Sequence, residues 1–190
     1  MIEPLRIVHD RKKMLTPRDR DFWDMGVGFF MDIRHRNRHG QLLYEEIGSH
    51  NMIVNEGLEV IWDVFFRAAT APTTFYMELY SDNGAFDKDT EYGDITELSG
   101  NGYSAVEVTR NDTGWPTLTE SSGQMRITSK ECTFTASGGA WSTCYGACIW
   151  GDMASDTLIC WDDFSSSRTL QDGDSLDVTL YIEREAPTAE

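Results

Sequence analysis

The chain has 190 residues, 40% of them hydrophobic, with six Trp, seven Tyr and nine Phe; that is enough for one cored domain and excludes wholesale disorder. No apolar run approaches the ~20 residues of a membrane span, and residues 1–14 mix charges with isolated apolar side chains, so no secretory signal is read there. The net charge of −16 divides into +3 over residues 1–40 and −19 over residues 41–190, a body that repels phosphate backbones. The expected setting is a cytoplasm, or a particle assembled inside one, with neither nucleic acid nor membrane as partner.

Residues 1–25 show no sustained periodicity, and Pro4 and Pro17 argue against one long helix. They read as an extended N-terminal arm. Its cations Arg11, Lys12, Lys13, Arg18 and Arg20 suit an acidic partner, and Phe22 with Trp23 form an aromatic plug that needs a docking site. From Val27 the alternation of Val27, Phe29, Met31 and Ile33 predicts a strand, Asn37–Gly40 a turn, and QLLYEEI its return. Arg34, Arg36 and Arg38 share parity, which predicts one positively charged strand face. These ten side chains are the candidate partner-binding residues.

Leu58, Ile61, Trp62, Phe65 and Phe66 fall at the spacing of an amphipathic helix, predicted over residues 56–68 with Asn55 as N-cap, its aromatic stripe packed into the core. After Pro72 everything reads β. Strands are predicted at 75–81, 103–109, 123–129, 131–137, 141–150, 157–163 and 175–183, separated by Ser, Gly, Asn and Asp. Many short strands without interleaved helices predict an all-β, jelly-roll-like antiparallel β-sandwich over residues 26–185, with a polar tail at 186–190.

Cys132, Cys144, Cys148 and Cys160 invite a zinc site by their symmetric spacing. On one strand, however, Cys144 and Cys148 would share a face about 13 Å apart, too far for one ion, so four core thiols are expected. Asp82, Asp87, Asp89, Glu91 and Asp94 could surround Ca²⁺, but the EF-hand pattern fails, and a solvated loop is expected. All four His lie in the first 50 residues, away from the β body, and no phosphate-binding, dinucleotide or zinc-protease motif occurs. The chain is therefore read as non-enzymatic, without catalytic residues, cofactor or metal. Trp115, Trp141, Trp150 and Trp161 leave sugar stacking as an alternative if their rings are exposed.

A series of segments then carries a resemblance: GVGFFMDIR (26–34), NMIVNEGLEVIWDVFF (51–66), FYMELY (75–80), ELSGNGY (97–103), GWP (114–116), KECTFTA (130–136) followed by Trp141, and SRTLQDGDSLDVTL (167–180). In this order they resemble virion structural proteins of tailed bacteriophages over residues 26–184. The resemblance implies a particle component of the capsid decoration (cement) type, with a tail adaptor or fibre-attachment protein as the alternative. Its implied partners are the major capsid protein and neighbouring copies in a dimer or trimer on the capsid exterior. A carbohydrate-binding module is the alternative from another class.

Overall fold

The computed structural model describes residues 4–8, 27–121, 124–153 and 155–184. The alternating segment after residue 26 forms β2 (Val27–Arg36), which returns as β3 (Leu42–His50). Asn37 closes the turn, accepting from the Gly40 N–H at 2.8 Å and donating its own to the Gln41 carbonyl at 2.9 Å. Gly40 lies at φ +74°, where a Cβ would be strained. Ahead of this hairpin, β1 (Leu5–Val8) runs parallel to β3, with Leu5 beside Tyr44 and Val8 beside Ile47. Part of the expected arm is therefore an edge strand.

A two-residue β4 (Met52–Ile53) leads into α1 (Asn55–Phe66). The β series follows: β5 (Thr74–Tyr80), β6 (Val106–Thr109), β7 (Thr117–Ser121), β8 (Gln124–Thr128), β9 (Cys132–Thr135), β10 (Cys144–Gly151), β11 (Thr157–Arg168) and β12 (Ser175–Arg184). The first sheet has the order β1-β3-β2-β12, and the far edge of β12 is shared. There β9 pairs along Ser175–Val178, β8 along Tyr181–Glu183, and β7 lies outside β8. The second sheet has the order β4-β11-β10-β5-β6. Apart from β1 with β3, every pairing is antiparallel. Among the described residues the fold is an all-β sandwich with one α-helix.

Parity sets the core. Phe29, Met31 and Ile33 of β2 and Leu176, Val178 and Leu180 of β12 are buried on the first sheet. Met77, Leu79, Ala147 and Ile149 meet them from the second in one cluster. The second sheet is buried on its outer face too, because residues 81–98 fold across it. Phe86, Tyr92 and Ile95 cover Val54, Tyr80, Cys148 and Leu158 there. This covering shields Glu78 and Tyr80, which alternate with Met77 and Leu79 along β5: the Tyr92 hydroxyl meets Glu78, and Phe86 packs edge-on against Tyr80.

Several local expectations change. Asn55 is the first helical residue rather than the cap; Val54 takes that position, and the Asn55 amide donates to Asp89 Oδ1 at 2.6 Å. A register shift on β10 between Cys144 and Gly146 breaks the expected parity. Cys144 thus enters the central core and Cys148 the outer cluster. All four cysteines are buried free thiols.

Candidate functional site

Helix α1 packs on the sandwich through its first half, at Gly57, Leu58 and Val60, most closely at Gly57. Gly57 is its one buried residue, and a Cβ there would lie 2.4 Å from the Ile159 carbonyl oxygen. Glu56 fixes the same end: its Oε2 accepts the Leu158 N–H at 2.8 Å and the Tyr92 N–H at 3.3 Å. Burial pushes the Glu56 carboxyl above its ordinary range. Further along, the helix parts from the sandwich. Between them lies an apolar groove of about 440 Å³, walled by Phe29, Ile182, Ile149 and Trp115 on the body and Leu58 and Trp62 on the helix. The stripe expected in the core is instead this groove's lip: Trp62 is 47%, Phe65 80% and Phe66 76% exposed. Spacing marked apolar side chains, but the packed face of the helix carries Gly57, Leu58 and Val60, of which only Leu58 belongs to the predicted stripe; periodicity does not report what covers a face.

The apolar surface continues past the groove. Ile182 pairs with Ile127, and Ile127 with Leu118, so these side chains share the face on which Ile182 meets the groove. At the far end of that row Leu118 is 65% and Met125 53% exposed. A sequence scan could have marked Leu118 and Met125 only by recognising the β7–β8 hairpin.

Of the ten candidate partner-binding residues, Arg11, Lys12, Lys13, Arg18, Arg20, Phe22 and Trp23 lie outside the described residues. Arg34 and Arg36 do project from one face of β2, but each meets a carboxylate of its own chain. Arg34 Nε donates to Glu45 Oε1 at 3.0 Å, and Arg6 reaches the other oxygen of Glu45 at 2.9 Å. Arg36 Nε lies 3.3 Å from Asp177 Oδ2. Arg38 belongs to the turn, where its backbone N–H donates to Asp174 Oδ1 at 3.1 Å. The expected open positive strip is thus two internal ion pairs and a turn residue, because acids on β3 and β12 come into register with it.

Several other polar groups are tied into the fold. Asp174 accepts from the Gln171 N–H at 3.0 Å, and His35 Nε2 lies 3.4 Å from it; burial pulls the His35 pKa down. Glu46 accepts from the Tyr44 hydroxyl and from the Ser165 N–H at 3.2 Å and hydroxyl at 2.5 Å. Glu78 Oε2 accepts from Trp150 Nε1 at 2.8 Å and the Tyr92 hydroxyl at 2.9 Å, while Oε1 is buried without a partner. Desolvation, reinforced by Glu97, pushes the Glu78 carboxyl up to about 7. Burial likewise pushes the Cys132, Cys144 and Cys160 thiols up to about 12. In the acidic loop, Asp87, Asp94 and Asp82 accept backbone N–H groups of Asp89, Glu91 and Thr96. No group of three potential metal ligands forms among the described residues. Trp141 is buried, and Trp150 is stacked on Tyr76 at a 4.4 Å ring separation.

A family model described as Podophage GP4 fiber I protein gp80 matches residues 57–181, about two thirds of the chain. The chain belongs to that family. It is therefore a phage virion structural protein of the fibre type. No curated protein matches it.

The gp80 fibre family match opens at Gly57, the glycine that lets α1 approach β11, and closes at Tyr181, beside Ile182 of the groove. It spans the helix stripe, the whole β7–β8 hairpin and every strand of the second sheet except β4. The apolar face is thus built mostly from the matched segment, with Val27, Phe29, Ile53 and Ile182 of the groove contributed from outside it. The β2–β3 hairpin, with Arg34, Arg36 and Arg38, lies outside the match, although the resemblance read from the sequence reached back to residue 26.

Proposed function

We propose that this protein is a non-enzymatic fibre-attachment component, a joint that fixes a fibre assembly to the virion. The observation that carries this reading is the match to a fibre protein family across the helix and the β body. The chemistry of the body supports a structural role: its carboxylates bind backbone amides and arginines, and its thiols are held protonated in the core. The apolar face formed by α1, the groove and the β7–β8 hairpin offers attachment surface that a free monomer would leave in water. On this reading residues 1–25 serve as a second anchor, their cations meeting an acidic virion surface. Capsid decoration, with the major capsid protein as partner, is the competing assignment within the virion. Antibody labelling of intact particles in the electron microscope tests the two. Label at the tail end or on fibres is expected; label spread over the shell would overturn attachment in favour of decoration.

A further inference from the structure

The groove and the ring beside it make one self-complementary surface. Phe66 lies outside the groove lining, packs edge-on against Phe65 at 5.2 Å between ring centroids, and is 76% exposed at the end of α1. A hollow walled by Leu58, Trp62 and Ile182 lies next to it. A two-fold contact needs a patch complementary to itself, and a projection beside a recess meets that need. We propose that two copies of the chain meet here, each placing its Phe66 ring in the groove of the other. This deepens the structural reading above by naming a partner and a face, and it holds for either position in the virion.

The extent of the surface supports a second copy as occupant. Ile61, Trp62, Phe65, Phe66, Leu118 and Met125 are between 37% and 80% exposed. Together they present on the order of 700 Å², taking about 200 Å² for a fully exposed large side chain, against ~800 Å² per partner in a standard interface. Charge gives the pairing a signature. Asp63 and Arg67 on the helix are already paired with each other at 2.8 Å and Arg110 borders the groove, while the exposed Glu59 on the helix and Glu120 opposite Met125 add like charge to the contact. Each copy carries −16 overall. Salt screens that repulsion without weakening an apolar contact, so association strengthens with ionic strength, whereas an interface of ion pairs would weaken.

Sedimentation of the full chain at low and moderate ionic strength tests this, with Phe66→Asp and, as a control on an exposed apolar residue of β3, Leu43→Asp. Circular dichroism confirms that both variants fold. The expected result is a dimer that salt strengthens, weakened about tenfold or more by Phe66→Asp and unchanged by Leu43→Asp. A dimer that Phe66→Asp leaves intact overturns this face while leaving self-association standing. A chain monomeric at every concentration overturns both. Association that falls with salt overturns the apolar contact.

Discussion

Glu78 sits on β5 under the loop of residues 81–98, and its ionisation is opposed by burial and by Glu97. Its folded pKa of about 7 stands above the ordinary 4.5, so the folded state holds this proton more tightly than the unfolded chain. Its contribution to stability is therefore full below pH 4.5, falls as the pH rises to about 7, and stays lost above that. Glu56, Glu97 and Asp162 are shifted in the same direction by the same cause. Thermal melts should show a more stable protein at mildly acidic pH than at pH ~8. Glu78→Gln keeps an amide oxygen for Trp150 and Tyr92 and removes the buried charge, so it should raise stability at pH ~8 by up to about 3 kcal/mol and flatten the profile. A variant with an unchanged profile would show that Glu78 ionises freely. The thiols offer a second check at this scale. All four are buried, so a thiol reagent should find none in the native protein and all four in denaturant. None of this burial was legible in FYMELYS, because alternation assigns Glu78 to a face without revealing the loop that covers it.

Among the elements, α1 shows most clearly what sequence and structure each contribute. Its apolar stripe and its stop before Pro72 were readable from spacing, as were the β2–β3 hairpin and the inward row of β12. The Asn55 cap was not, since Asn55 is recruited by Asp89 from a distant loop. Strand β4 escaped because two residues carry no alternation, and β1 and β7 went unread as well. The arginine partners escaped because Glu45 and Asp177 reach β2 only through sheet pairing. Contact of α1 with β11 through Gly57 yields a sharp prediction. Gly57→Ala places a methyl against the Ile159 backbone and should cost about 1–3 kcal/mol in denaturant unfolding, despite the better helix propensity of Ala. Phe66→Asp, at a side chain 76% exposed, should stay within about 0.5 kcal/mol of the parent in the monomer. If both substitutions cost alike, the helix is packed along its whole length rather than at its start. At the opposite edge, deletion of residues 1–8 removes β1, whose Leu5 and Val8 are largely exposed; the truncated chain should keep a cooperative melt.

Over the whole molecule, an acidic body surrounds an apolar face, and the two serve different ends. The charge of −16 disfavours association through arbitrary surfaces. The largely apolar helix–groove–hairpin face is then the surface with the least repulsion to overcome. The sandwich class was visible in the strand count and in the absence of interleaved helices. The exposed apolar face was not, because it arises where the β7–β8 hairpin continues the first sheet and α1 lifts from the body, features of tertiary packing rather than of local pattern. Placement in a fibre-type joint makes a direct prediction about abundance: the number of copies of this chain per purified particle, measured against the major capsid protein. About a dozen or a small multiple of the tail symmetry is expected for a fibre-attachment component, whereas hundreds of copies would contradict it and place the protein on the shell.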